Sequence, residues 1–559
     1  MSKSKRAKKN LGLEFDVWQF ATRLLDVLDS GLRNRFLGYI RNRNVAAIVT
    51  TCDELFQPSQ LLQEEAFAIL QLKALFSKNR DFISPDYKEK ALASFDADEL
   101  HNSHTNARLR GRIPDDIRAT LDIAFGHIDK LLGPFETFLD SVGDGFRITS
   151  GATARLPRSK SFRYRKVRKT LRGNERLKPL IEAASRYLKI DFKLKVATAN
   201  LLSVVPKNFK TGRTIACEPD GNLPFQLAFD RFAKKRLARK GQNLRDQSRN
   251  SNLARVSSID GSLATIDFKS ASNSLSSGLI DLMASYNLNL SKYCDYLYRC
   301  RSAFYRRSRK DAVETRYQMF SSMGNGTTFV LETIVFWSLA RAIGSRRVSV
   351  YGDDVIIETE LAPLYIQLCK YIGFEINAEK TFISGPFRES CGGNYYRGLD
   401  ITPVYVRGRL NRPLLCHTLN SLAQRKGLMS LQAFAFLIGW VTKHGRVLPK
   451  VPSTFPSWAG LWCREDFLHT LGRLYLRADG IWYTSGYVGL SDADHVRDIR
   501  TYLLWIIDHR TDADTLAIEK DSFLETLQSR GRRVKWSTRK QPALVGTTSP
   551  GYRGVSLCY

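Results

Sequence analysis

The chain has 559 residues, with 86 Lys and Arg against 55 Asp and Glu, a formal net charge of +31. Apolar residues make up 43% and charged residues 25%, a globular composition that excludes a collagen, a coiled coil or a wholly disordered chain. A globular chain this basic faces a polyanion, and at roughly 100–200 residues per domain it holds several compact units.

The N-terminus, Met1 to Lys9, is charged, and no apolar stretch of the secretory-signal kind follows it. The first 150 residues read as mainly helical. Leu24, Leu28, Leu32 and Phe36 recur every fourth residue, which predicts one face of a helix. From Gly151 to Leu180, eleven Lys or Arg residues stand against one acid, Glu175. Within that stretch Arg163, Arg165, Lys166, Arg168 and Lys169 alternate with Tyr164 and Val167, a candidate contact to a nucleic-acid backbone. Further basic clusters span Arg231 to Lys240 and Arg299 to Lys310. One such cluster is as often a solvated helix face. Three of them on so basic a chain point to a phosphate-lined channel.

In the middle of the chain, Ala264–Phe268 reads as a short strand leading into a Ser-rich turn. Thr327–Ile343 reads as an apolar helix opening after Gly324, Asn325 and Gly326. Val348–Val350 and Val355–Ile357 flank Tyr351-Gly352-Asp353-Asp354, a strand, tight turn, strand pattern. Beyond residue 400 the chain looks more helical and holds six of the eight tryptophans. Its most apolar stretch, Leu428–Val441, is interrupted by Ser430 and Gln432 and falls short of the roughly 20 residues of a spanning helix. No membrane association is expected. The nine cysteines are scattered without a CxxC pair, as for reduced thiols. Cys416-His417 is too small a ligand set for zinc, and Asp508-His509 with Asp512 and Asp514 reads as a polar loop.

The acids carry the chemistry. Asp353 and Asp354 are adjacent at the tip of the expected hairpin, with apolar residues on both sides holding the turn. Neighbouring carboxylates repel unless a cation neutralises them, and hard oxygen donors suit Mg²⁺ or Mn²⁺. Asp267 ends the strand Ala264-Thr265-Ile266. If that strand pairs beside the hairpin, Asp267 faces Asp353, and two metals about 3.5–4 Å apart fit between them. Gly and Asp are also favoured in plain surface turns. The tetrapeptide with Tyr is expected by chance in on the order of one chain in a few hundred of this length.

Several segments, in order, resemble those of the RNA-directed RNA polymerases of single-stranded RNA bacteriophages, the Qbeta-type replicase catalytic beta subunits of the leviviruses. Val205 to Arg213 resembles the basic fingers motif. Thr265 to Ser272 resembles palm motif A, and Ser321 to Gly326 motif B. Tyr351 to Asp354 resembles motif C, and Asn377 to Phe382 motif D. Gly385 to Gly392 resembles the phage form of motif E. The resemblance runs from about residue 200 to 410.

It implies an α+β right-hand polymerase. Fingers and an N-terminal helical region would span 1–250, a palm of antiparallel sheet backed by helices 251–400, and a thumb with a basic C-terminal region 401–559. It implies template-directed RNA synthesis from ribonucleoside triphosphates by two-metal nucleotidyl transfer, replicating a positive-strand phage genome in the cytoplasm of the infected bacterium. Asp267, Asp353 and Asp354 would hold two Mg²⁺ ions, with Mn²⁺ able to substitute, and the Phe268 carbonyl could add a ligand. Lys207, Lys210 and Arg213 would grip the triphosphate. Ser322, Gly324 and Asn325 would shape the pocket for base and sugar. Lys380 would protonate the leaving pyrophosphate or support it electrostatically. Partners would be RNA template and product, host elongation factors Tu and Ts, and a ribosomal protein.

The pattern departs at Asn273, where the family usually carries a second motif A aspartate. An amide can hydrogen-bond a ribose 2′-hydroxyl, but it brings no charge. A reverse transcriptase would use deoxynucleotides at a similar site. An RNA-packaging protein would explain the charge but not the three acids, and a metal-dependent nuclease would shorten chains instead of extending them.

Overall fold

The computed structural model describes residues 16–28, 30–161, 166, 170–310 and 313–425, with shorter pieces between 428 and 543. Arg163, Arg165, Arg168, Lys169 and the Asp508–Asp514 loop lie outside the described residues. The fold is α+β. Two compact units are present: 83–402, and 1–82 with 403–559.

In the second of these, helices α1 (Val17–Leu28), α2 (Ser30–Arg41), α3 (Val45–Leu55) and α4 (Gln63–Phe76) pack together. The expected single helix through Leu24 and Phe36 is therefore two. Ser30 and Gly31 are weak helix formers, and the chain restarts there. Leu24 and Phe36 are nevertheless both buried. The Gln71 amide clamps the backbone of Val404 from both sides, its Nε2 donating to the carbonyl at 2.9 Å and its Oε1 accepting from the N–H at 2.8 Å.

In unit 83–402, helices α5 (Tyr87–Arg110), α6 (Asp115–Leu132) and α7 (Phe135–Gly145) come first. Strand β1 (Thr170–Gly173), helix α8 (Lys178–Leu188) and strand β2 (Lys193–Val196) follow. Next comes the hairpin of β3 (Ala199–Pro206) and β4 (Gly212–Cys217), then helices α9 (Asn222–Arg239) and α10 (Ser248–Asp260). Strand β5 (Leu263–Ile266) leads into the short helices α11 (Ala271–Ser274), α12 (Ser277–Ala284) and α13 (Leu288–Arg299). After β6 (Phe304–Arg306) and β7 (Thr315–Arg316) comes α14 (Thr328–Ala342), in which all residues from Val330 to Ala340 are buried. A helix apolar all round belongs in a core, and α14 packs on α6 and beneath the hairpin of β8 (Ser349–Tyr351) and β9 (Asp354–Glu358).

The central sheet is antiparallel with strand order β5-β9-β8, Ile266 pairing with Val355 and Tyr351 with Asp354. All four residues of β5 are buried. Its free edge is covered by a later segment, because Thr265 and Phe382 exchange backbone hydrogen bonds of 3.0 and 2.8 Å. Phe268, just past β5, stacks flat on Phe336 of α14 at 4.4 Å between ring centroids. A second hairpin, β10 (Phe387–Ser390) and β11 (Gly393–Tyr396), packs on α10. The fully buried Arg388 ties it in place, donating to the carbonyls of Leu263, Ile383, Ser384, Gly385 and Phe387 at 2.7–3.2 Å. No helix among the described residues is long and apolar enough to cross a membrane.

Candidate active site

The site lies where β5 and β9 end. Gly352 makes the turn between β8 and β9 at φ +65°, and a Cβ there would sit 2.3 Å from the Phe329 ring. Only glycine takes that conformation at no steric cost in so tight a space. Its N–H donates to Thr333 Oγ1 at 3.1 Å, which ties the turn to α14. Asp353 and Asp354 follow.

Antiparallel pairing of Ile266 with Val355 places Asp267 opposite Asp354 rather than Asp353. The reason is that β9, not β8, is the central strand. Burial, Asp353 and Glu389 push the Asp267 carboxyl up to about 6, against the pull of Lys380 and of the Asn377 amide, which donates to Oδ2 at 2.8 Å. Burial also pushes Asp354 up, to about 7, with Asp353, Asp267 and Glu389 adding to it. The Cys391 N–H, 3.0 Å from Oδ1, opposes the rise. These carboxylates destabilise one another's charge, and all donors are oxygen, so the set fits a hard divalent cation. Among the described residues no group of three or more His, Cys, Asp or Glu side chains is gathered into a ready-made ligand cage.

Lys380 and Lys207 lie in the field of the acids. Lys380 ends the short helical turn Ala378–Lys380 and pairs with Glu389 at 3.1 Å. Partial burial pulls its pKa down, but Glu389 and Asp267 outweigh that and hold the ammonium above its ordinary value. Lys207 stands at the tip of the β3–β4 hairpin, where the N–H groups of Lys207 and Asn208 both donate to the Thr211 carbonyl. Partial desolvation by the surrounding chain, Arg213 and Lys380 lower its pKa, while Asp267 and Asp353 raise it, and the residue remains exposed to solvent. Lys207 is therefore within electrostatic reach of Asp267 and Asp353. Lys210 and Arg213 are exposed on the same hairpin.

The loop before α14 lies against β4. The Ala216 N–H donates to the Met323 carbonyl at 2.7 Å, and a Cβ on Gly324, at φ +111°, would sit 2.2 Å from the Ala216 carbonyl oxygen. Asn325 is buried and its Oδ1 accepts from the Thr327 N–H and hydroxyl, both at 2.8 Å. Ser322 is also buried, and its carbonyl accepts from the Thr328 hydroxyl. Asn273 sits on α11, with its amide on Asp98.

One expected RNA contact and one residue of the third basic cluster are buried. Lys166 is buried, its ammonium donating to the Thr149 carbonyl at 2.6 Å instead of facing solvent. Arg301, in the third basic cluster, is buried against Tyr298 and Phe320 and donates to the Phe320 carbonyl at 2.6 Å. Sequence reading missed Asp98, which no motif marks. It also missed Glu332, a buried acid whose only signal was its isolation in the apolar run of α14. Burial and Asp353 push the Glu332 carboxyl up to about 8, against a hydrogen bond from Ser272.

Residues 83–450 match the family described as RNA replicase, beta-chain. The chain is 34% identical over 403 residues to the RNA-directed RNA polymerase subunit beta of Escherichia virus Qbeta, covering 69% of this chain and 66% of that one. It is 38% identical over 248 residues to the RNA-directed RNA polymerase beta chain of Escherichia phage MS2, covering 44% of each. The subunit beta of Enterobacteria phage SP is 42% identical over 228 residues, covering 40% of this chain and 38% of the other. The matched parts span less than two thirds of these relatives' own lengths. Among solved structures, a BmCPV RNA-dependent RNA polymerase at elongation state aligns with a TM-score of 0.40 at 11% identity, covering 60% of this chain and 34% of that one.

Proposed function

Because the chain belongs to the RNA replicase beta-chain family, we propose that it is the catalytic subunit of an RNA-directed RNA polymerase that copies a phage RNA genome in the cytoplasm of the infected bacterium. The observation that carries this reading is the convergence of Asp267, Asp354 and the Gly352-Asp353 turn at the end of the β5–β9 ladder, with Lys207 within electrostatic reach. Residues 251–400 act as the palm, 1–250 as fingers with an N-terminal helical region, and 401–559 as thumb with the basic C-terminal region.

Asp267, Asp353 and Asp354 would hold the metal, two Mg²⁺ ions with Mn²⁺ able to replace them. When bound, such ions lower the pKa of an attacking 3′-hydroxyl and neutralise the triphosphate. The chain's own residues do the positioning that phosphoryl transfer depends on. Lys207, Lys210 and Arg213 draw the triphosphate toward the acids. Ser322, Gly324 and Asn325 form one wall of the nucleotide pocket, held by the bonds to β4 and α14. A general acid works best with a pKa near the working pH. Lys380 is held above its ordinary value, which favours charge support of the departing pyrophosphate over proton donation. RNA template, RNA product and ribonucleoside triphosphates are the substrates. Elongation factors Tu and Ts and a ribosomal protein are the proposed host partners.

The test is nucleotide incorporation on a short RNA template with four ribonucleotides and Mg²⁺, comparing the wild type with Asp353→Asn, with and without bacterial extract. Extension by the wild type alone is expected. Equal extension by the variant would remove the turn acids from the mechanism.

A further inference from the structure

The motif A helix α11 carries Asn273 where a carboxylate is usual in polymerases of this kind, yet a carboxylate is present. Asp98, from the distant helix α5, accepts a 2.8 Å hydrogen bond from Asn273 Nδ2. One turn later on α5, Asn102 donates to the Asn273 carbonyl at 2.6 Å. The bond to a carboxylate fixes which end of the Asn273 amide is nitrogen, because a carboxylate only accepts. The other end, Oδ1, is buried and has no hydrogen-bond partner among the described residues. A buried acceptor left unpaired costs free energy unless a ligand or water supplies a donor.

Asp98 is not needed to dock α5. Glu99 already accepts from the N–H groups of Gln318 and Met319 at 2.8 and 3.0 Å. Asn106 accepts from the Gly278 N–H at 2.7 Å, and His101 bonds the Gly373 carbonyl at 2.9 Å. Those contacts hold the helix on the C-terminal side of Asp98, and the 2.6 Å pair of Arg307 with Asp96 holds it on the other. The carboxylate itself also bonds the Ser270 side chain and lies in the field of Lys207, the same lysine that feels Asp267 and Asp353. Through Asn273, on the short helix that follows Asp267 at the end of β5, Asp98 is tied to the motif A side of the site.

We propose that Asp98 is a positioning residue for sugar selection: it orients the Asn273 amide so that Oδ1 accepts a hydrogen bond from the 2′-hydroxyl of the incoming ribonucleotide, and it supplies from α5 the second negative charge that position 273 lacks. This rests on the polymerase reading above. A site built around a substrate hydroxyl discriminates strongly against the analogue lacking it, because the site's buried polar group is then left unpaired.

The experiment measures kcat and KM for ribonucleotide and 2′-deoxyribonucleotide incorporation by the full chain, with bacterial extract if extension needs it. Wild type is compared with Asp98→Ala, Asn273→Ala and the exchange Asp98→Asn with Asn273→Asp. Asp98→Ala is expected to lower the ribo-over-deoxy ratio of kcat/KM by about tenfold to a hundredfold, the scale for misplacing a positioned group by about 1 Å. The loss falls on the ribonucleotide, with deoxynucleotide use little changed. The exchange keeps one amide and one carboxylate and is expected to restore most of the ratio. Equal loss for both sugars, with no recovery on exchange, would overturn the proposal and leave Asp98 a structural clamp. A wild type silent with ribonucleotides, with and without extract, would instead overturn the polymerase reading itself and this proposal with it.

Discussion

Asp267 and Asp354 stand opposite each other one step beyond the last pair of the β5–β9 ladder, Ile266 with Val355. Each is pushed well above the usual carboxylate range, to about 6 and about 7. The sheet thus ends in two partly buried acids that oppose each other's ionisation. Such a pair stores unfavourable energy that a cation would relieve.

Removing one of these charges separates stability from activity. Asp354→Asn keeps an oxygen for the Cys391 N–H while deleting the charge that burial and its neighbours disfavour. At pH 8 in a chelator, the variant is expected to melt above the wild type, by roughly 1 kcal/mol or more for a shift of this kind. Its nucleotide incorporation is expected to fall by about a thousandfold or more. Paired melting curves and incorporation assays check both halves. A variant that is active, or less stable in chelator, would contradict the account.

Gly352 is the hinge of the acidic turn. Gly352→Ala combines positive φ with a Cβ 2.3 Å from the Phe329 ring. A loss of about 1–3 kcal/mol is expected, together with loss of incorporation as the turn shifts. Adding Phe329→Ala clears the clash but not the φ penalty. The double variant should therefore recover activity only in part, and full recovery would show that strain at Gly352 is unimportant.

The strands around Asp267 and the Gly352 turn were legible because β-branched residues bracket the acids. The opening of α14 after Gly326 was legible from its apolar run. Pairing order was not. Nothing local to Asp267 states that β9 lies between β5 and β8, so its partner at the sheet end came out as Asp354. Asp98 was invisible for the same reason, since its meaning depends on α5 docking 175 residues away from Asn273. Lys166 and Arg301 show the converse limit. A basic run reads the same whether its cations face solvent or carbonyls, and the fold buries these two.

Arg388 is the structural counterpart of the acids. Its guanidinium is fully buried and bonds five backbone carbonyls of β5, β10 and the preceding loop. Arg388→Met leaves those carbonyls without their donor and is expected to cost on the order of 3 kcal/mol or more. Arg388→Lys keeps the charge but not the planar fork and should recover only part of it. Denaturant titration decides. A Met variant as stable as the wild type would mean that water replaces the guanidinium.

Glu332 carries the clearest pH dependence. It is buried in α14, Oε1 has no hydrogen-bond partner among the described residues, and its carboxyl is pushed from an ordinary 4.5 up to about 8 by burial and by Asp353. Between these values the folded chain holds a proton that the unfolded chain has lost. Stability therefore falls as pH rises from about 4.5 and levels off above about 8. Glu332→Gln keeps the shape and removes the titration. In chelator, variant and wild type should be of similar stability near pH 5. The variant should then be the more stable by a few kcal/mol near pH 9, as order-of-magnitude linkage requires. Chemical denaturation across that range measures the difference directly. A difference that does not change with pH would mean that Glu332 stays ionised in the folded chain, with a cation or an ordered water meeting its charge.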